Sequence, residues 1–393
     1  MGSLADRLAT RIRAHGPLTF AAFMEAALYD PADGYYTTRA AIGFEGDFLT
    51  SPDLGPAFGR ALARAMGELW AALDRPPSWD LVEAGAGRGV LMRDLLAALP
   101  QERPEAARGV RPAIVDVSPR LREQQALALE GRQLRWAATA RALAPIQGVV
   151  FANEVLDAFP VHVLVQTAED LREVYVDVED GRFVEVLRAP SAADLRFRVP
   201  SALPLGGRWE ASPAAEGWVA GIAAALGRGY LLLVDYGADE AGLLARAGAG
   251  TLRGFSRHAL VRDPLAEPGA HDLTASVNFT AIRRAAEGAG LRHAGTATQR
   301  EVLQALGIRE AASSGAFARP GPGSSMPTAP GPLEQLRAAS RRSAIETLLD
   351  PAGLGAFVVT CFVKDAPADG LGFLGAGSAR QALSAARTAR ARA

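Results

Sequence analysis

The run Trp79-Asp80-Leu81-Val82-Glu83-Ala84-Gly85-Ala86-Gly87-Arg88-Gly89 places an acid and three glycines where an apolar stretch gives way to a helical pattern. Glycines at 85, 87 and 89 permit positive φ and leave bare backbone on which a bulky ligand can lie at the mouth of a sheet. A dinucleotide fingerprint needs its third glycine at position 90, and that position is Val90. The register therefore points away from nicotinamide cofactors. Glu83 complements a cationic ligand end, helix-terminal amides receive a carboxylate, and Asp116, closing the next apolar run, suits two ribose hydroxyls. Adenosine, amino-acid tail and sulfonium charge together describe S-adenosylmethionine, with Glu83, Gly85, Gly87, Gly89 and Asp116 as its expected contacts. The competing reading is a glycine-rich turn that merely closes a strand-helix unit, with Asp116 a solvated acid.

Methyl transfer from a sulfonium is an in-line displacement, so alignment of donor and acceptor supplies much of the catalysis. The run GVVFAN (148–153) ends on Asn153 and is followed by Glu154 and Asp157, at the carboxyl edge where open α/β sheets bind ligands. A carboxylate there matches a planar guanidinium bidentately. Glu154 is the expected acceptor-binding acid, Asn153 its hydrogen-bonding support, and Asp157 shares the face if a helix follows, being one turn farther on. Helix N-terminal capping is the alternative for both acids. Asp235 and Tyr236 end a later strand, where they either touch substrate or only terminate it. The five histidines are scattered and Cys361 is the single cysteine, so neither a metal site nor a disulfide is expected.

These groups need a sheet with helices on both faces. Apolar strands and helical patterns alternate from residue 76 onward, which argues a parallel sheet. We expect a helical N-terminal segment and long loop over 1–75, a first core part over 76–160, a β-hairpin insertion over 161–211, and a second core part with a loop insertion over 212–299. A helical insertion with a mobile Pro/Gly/Ser loop (310–332) spans 300–350, the last core strand lies in 351–365, and 366–393 is an Ala/Arg/Gly tail read as disordered. The core strands number seven.

The 393 residues carry a net charge of −1, which gives no long-range field toward nucleic acid or anionic membrane. Lys364, the one lysine, lies in an apolar strand and fits no P-loop, kinase or Schiff-base context. No apolar run reaches membrane-spanning length, and charges interrupt the N-terminus where a signal peptide would be apolar. The expectation is a soluble cytoplasmic protein without membrane insertion.

The motifs GDFLTSPDLGPAFG (46–59), LVEAGAGRG (81–89), DVSPRLRE (116–123), FANEVLDAFPV (151–161), LLVDYG (232–237), DPLAEPGAHDLTASVNF (263–279) and TQREVLQALGI (298–308) occur in that order. Together they resemble the MidA-like methyltransferase family, which includes a mitochondrial assembly factor of respiratory NADH dehydrogenase, over residues 16–365. The resemblance implies a Rossmann-like class I methyltransferase sheet, S-adenosyl-L-methionine as cofactor, and protein-arginine N-methylation, with a respiratory NADH dehydrogenase subunit among the acceptors. It implies a cofactor-side lid containing Asp47, Thr50 and Ser51, for which a well-capped turn is the alternative. Ser276-Val277-Asn278 departs from the family, which commonly has an acidic residue or histidine there. A small-molecule N- or O-methyltransferase and a non-catalytic assembly factor keeping the same pocket are the competing functions.

Overall fold

Tyr230, Leu232 and Val234 enter one apolar layer while Leu231 and Leu233, between them, enter another. That period of two is what a strand buried on both faces imposes. In the computed structural model, which describes residues 2–39, 50–256, 259–313 and 332–375, seven strands form the central sheet. They are β1 (Trp79–Ala84), β2 (Val110–Val115), β3 (Arg135–Ala137), β4 (Ile146–Asn153), β5 (Leu226–Asp235), β6 (Arg292–Thr298) and β7 (Val358–Lys364). Their spatial order is 6-7-5-4-1-2-3. All neighbours run parallel except the two pairs made by β7. The order reverses between β1 and β4, leaving a crevice at their carboxyl ends. This is the α/β, Rossmann-like sheet of class I methyltransferases.

Helices α1 (Leu4–His15) and α2 (Phe20–Tyr29) precede the core. Helices α3 (Ala57–Ala72) and α4 (Val90–Glu102) cover one face, burying Phe58, Leu62, Met66, Leu91 and Leu95. Helix α5 (Pro119–Ala128) follows β2. The other face is covered by α6 (Pro213–Ala225) and α7 (Phe279–Gly288), through Val219, Ile222, Ile282 and Ala286. Helix α6 starts where its sequence says it should: Ser212 Oγ accepts from the Ala215 N–H at 3.2 Å, and Pro213 takes the first helical position.

A second, antiparallel sheet is built from 162–166, 171–179, 182–188 and 208–211. The N-terminal segment is not wholly helical as expected, because Leu18–Thr19 pairs with Tyr175 and Val176 of this sheet. That pairing seats α2, whose Phe20, Phe23 and Met24 pack with Val163, Val174 and Val176, and so sets where Tyr29 ends up.

Two further expectations are corrected. No helix follows β4: Glu154 has φ 54°, a left-handed conformation that stops helical propagation. Only a short 3-10 turn, Leu156–Ala158, comes after it. The tail is not disordered from residue 366, since Leu371, Phe373 and Leu374 are buried in the core under α3 and α8 (Gln299–Ala305). The Tyr230 hydroxyl also donates to the Pro367 carbonyl at 2.7 Å. Of the 310–332 loop, 310–313 is helical and the chain is next described from Pro332, in α9 (Pro332–Leu348). Residues 314–331 and 376–393 lie outside the described residues. Among the described residues no helix is long and apolar enough to cross a membrane.

Phe373 is 2 % exposed, so Phe373→Ala should destabilise the protein by about 3–5 kcal/mol, the usual range for a buried aromatic. Equilibrium urea unfolding would measure this. An unchanged midpoint would show that the segment after β7 adds nothing to the core.

Candidate active site

β1 carries an acid at each end, and the two are treated differently. Asp80, at the amino end, accepts from Arg111 Nη2 (3.0 Å), Arg135 Nη2 (2.6 Å) and the Gln147 N–H (2.9 Å). Glu83, at the carboxyl end, is 3 % exposed and its Oε2 has no hydrogen-bond partner. Burial pushes the Glu83 carboxyl well above the usual range; the Met92 N–H opposes this and Asp116 adds to it. An enclosed acceptor without a donor is costly unless a ligand completes it.

The turn after Glu83 has to be glycine. Gly85 has φ 69°, and a Cβ there would stand 2.6 Å from Val155 Cγ2; at Gly89, with φ 79°, it would meet the α5 backbone at Gln125, 3.2 Å away. A cavity of about 470 Å³ opens over this turn and is walled by Asp116, Asn153, Glu154, Tyr29 and Tyr36. Asp116 is oriented by the Ser118 N–H (2.9 Å) and Gln125 Nε2 (2.8 Å); Gln125 Nε2 also donates to the Gly87 carbonyl at 2.9 Å. One amide thus links the glycine turn to the ribose-type acid. Burial raises the Asp116 pKa, against these two hydrogen bonds.

Glu154 stands at the cavity wall. Its Oε1 accepts from the Ser51 N–H (3.0 Å) and Asn153 Nδ2 (2.9 Å). Burial pushes it up to about 8 despite these donors, with Asp157 and Asp53 adding to the shift. Asp157 does not share a helix face with Glu154 and does not line the cavity. It is buried behind the wall, where burial raises it to about 6 and the neighbouring Tyr236 hydroxyl opposes the rise. The capping alternative is answered by a different acid. Asp235, 1 % exposed, has Oδ2 accepting from the Val155 (3.0 Å), Leu156 (2.8 Å) and Asp157 (3.4 Å) N–H groups. Asp235 therefore holds the turn that carries Glu154, and burial followed by Asp157 and Glu154 raises its pKa well above normal.

Of the expected lid residues, Thr50 lines the cavity. Ser51 instead lies behind Glu154, its hydroxyl donating to Gln299 Oε1 at 3.3 Å. Asp47 falls outside the described residues. Sequence reasoning missed four participants. Asp53 pairs with Arg88 of the glycine turn and accepts from the Thr50 N–H and hydroxyl (3.0 and 2.7 Å); the Thr-Ser-Pro-Asp spacing of a capping box was its available signal. Tyr29 and Tyr36 stack at 5.6 Å between centroids, and the Tyr36 hydroxyl donates to Asp272 Oδ1 at 3.0 Å. Neither tyrosine nor Asp272 stands in a local pattern that marks it.

Sheet order, glycine turn and strand-end acids define a class I S-adenosyl-L-methionine-dependent methyltransferase. A family model described as "Putative S-adenosyl-L-methionine-dependent methyltransferase" matches residues 61–297. The chain is 32 % identical over 334 residues to the mouse mitochondrial protein arginine methyltransferase NDUFAF7, covering 76 % of this chain and 72 % of that protein. It is also 32 % identical to the human protein of the same name, again over 76 % of this chain and 72 % of the relative. A crystal structure from Burkholderia thailandensis with bound S-adenosyl-homocysteine aligns with TM-score 0.79 at 32 % identity, covering 92 % of each chain. The chain belongs to the MidA-like family of S-adenosyl-L-methionine-dependent methyltransferases. The cytoplasmic expectation is corrected: the curated relatives are named as mitochondrial proteins, and that finding conflicts with it.

The residues present fit the cofactor. Glu83 Oε2 is an enclosed acceptor awaiting a donor, the glycine backbone is bare where side chains would intrude, and Asp116 is preset beside them.

Carboxyls with raised native pKa values bind more protons folded than unfolded, so their contribution is present below the unfolded value and lost as pH rises through the native one. Glu83, Glu154, Asp157 and Asp235 all shift this way. The Tm of the ligand-free protein should fall between about pH 5 and pH 8, and Glu154→Gln should flatten that slope. A Tm that rises across the window would contradict the shifts.

Proposed function

We propose that this protein transfers a methyl group from S-adenosyl-L-methionine to an arginine side chain of a protein. The observation that carries the reading is the set of buried carboxyls at and behind the cavity wall: Glu154, Asp157 and Asp235 form no ion pair among the described residues, Asp157 raises the pKa of Glu154, and both raise that of Asp235. A guanidinium entering there would supply the missing positive charge and bind a carboxylate through two parallel N–H donors. The name borne by the relatives supports the same acceptor. The family resemblance extends the proposal to a subunit of a respiratory NADH dehydrogenase.

The cofactor supplies an electrophilic methyl on a sulfonium. Glu154, oriented by Ser51 and Asn153 at Oε1, holds the guanidinium so that one nitrogen faces that methyl. Asp235 keeps Glu154 in place through the amides of 155–157, and Asp157 adds negative charge beside it. As the new C–N bond forms, the attacking nitrogen sheds a proton, and Glu154, whose pKa lies near neutrality, takes it. Tyr29 and Tyr36 line the same cavity and limit water at the reacting centre. We assign the hairpin sheet of 161–211 as the platform on which α2 brings Tyr29 over the site.

The test is labelled methyl transfer from S-adenosylmethionine into a lysate of a strain deleted for this protein. Label should enter a protein band that hydrolyses to methylarginine. Label confined to small molecules, or no transfer by protein that binds cofactor, would overturn the reading.

Glu154→Gln should lower kcat/KM by about 10- to 100-fold, the worth of charge-assisted hydrogen bonds, while S-adenosyl-homocysteine affinity holds. The wild-type rate should climb with pH toward a midpoint near 8, where Glu154 ionises. In the variant that limb should vanish, and an unchanged profile would remove Glu154 from the chemistry.

A further inference from the structure

A second cavity, of about 300 Å³, lies between the hairpin sheet and the helices of the core, and the methyl-transfer step makes no use of it. Its floor is apolar, with Leu156, Val161, Ala215 and Ile282 buried there. Its rim is charged. Asp194, Glu210, Glu216 and Glu240 stand against Arg198 and Arg284, four carboxylates to two arginines, an excess of two negative charges. Arg198 bridges Asp194 and Glu216, and Arg284 meets Glu240. Glu210 forms no ion pair among the described residues and is held by the Thr251 N–H and hydroxyl at 3.0 and 3.1 Å.

This cavity shares a wall with the active site. Val155 lines the catalytic cavity and the next residue, Leu156, lines the second; on α6, Trp218 lines the first and Ala215, three residues earlier, lines the second. Residues three apart on a helix stand about 5–6 Å from each other, so a peptide entering one cavity reaches the other within a few residues. Phe197, also lining the second cavity, is 88 % exposed. It offers a partner chain the kind of aromatic contact on which protein interfaces draw.

We propose that this cavity binds a lysine or arginine side chain of the acceptor protein, within about five residues of the arginine that is methylated. The inference rests on the protein-arginine reading and adds to it a sequence requirement on the acceptor. A long basic side chain suits both parts of the cavity, since its methylene stem packs on the apolar floor while its charged head stays at a wet rim. The excess negative charge selects that head and rejects an acidic residue in the same place.

Peptide sets with one central arginine, and with lysine, glutamate or alanine fixed at each flanking position in turn, test this with the full-length protein and labelled S-adenosylmethionine. At one or more of the positions within about five of the arginine, lysine should raise kcat/KM over alanine, and glutamate should lower it. The gain should be about 3- to 10-fold, from a partly exposed ion pair and the burial of a methylene stem. Asp194→Asn combined with Glu240→Gln removes the excess charge and should bring the lysine-to-alanine ratio near one. Ala281→Arg, which sets a cation on the cavity wall, should turn the ratio below one and supplies the reading should the double variant fold poorly. Each ratio is taken within one protein, so a general loss of stability or rate does not imitate the effect. No lysine preference in the wild type, or a preference that survives both variants, would overturn the subsite. No label in any peptide, from protein that binds S-adenosyl-homocysteine, would overturn the arginine reading and the subsite with it.

Discussion

Carboxyl groups buried at the carboxyl ends of β1, β4 and β5 without a matching cation, and so held back from ionising, are the constraint on which the rest of the site depends. The amino end of the same sheet shows that the fold can neutralise such charge, because Asp80 has two arginines and a backbone amide. At the carboxyl end Glu83, Glu154, Asp157 and Asp235 have backbone amides, the Asn153 side-chain amide, the Tyr236 hydroxyl and neighbouring acids. Leaving ionisable groups there costs stability in the ligand-free protein. It also makes the site selective for cations, which a sulfonium donor and a guanidinium acceptor both are.

Holding that charge in place takes elements far apart in the chain. Asp235 reaches back to the amides after β4 and keeps Glu154 in a left-handed conformation that a glutamate adopts only when its surroundings impose it. The 50–54 turn touches Glu154 through Ser51 and the glycine turn through Asp53. Cofactor side and acceptor side are therefore joined by one short segment, and α2, seated by the Leu18–Thr19 pairing, closes the cavity with Tyr29. Strain and uncompensated charge sit together at the point where two substrates must meet.

The glycine turn and Asp116 were legible in the sequence because their signal is local: residue types, spacing and the strand-to-helix change of period all lie within a few tens of residues. The seven strands were legible for the same reason. The geometry after β4 was not. A helix was the natural continuation of FANEVLDAF, and nothing nearby in sequence announces that Glu154 takes positive φ or that its turn is capped by an acid about eighty residues later. The Tyr36–Asp272 contact spans 236 residues and has no pattern at all. The segment after residue 365 looked like a low-complexity tail because Ala and Gly dominate it, and the short Leu-Gly-Phe-Leu stretch that enters the core was outweighed.

Proton release on cofactor binding, measured by calorimetry at pH 7 in buffers of differing ionisation enthalpy, tests the uncompensated-charge account most directly. S-adenosylmethionine and S-adenosyl-homocysteine differ by the sulfonium methyl and its charge. The account predicts that the methylated ligand expels more protons than the other, because its cation drives the buried carboxyls to ionise. Equal release by both ligands, or none, would contradict it.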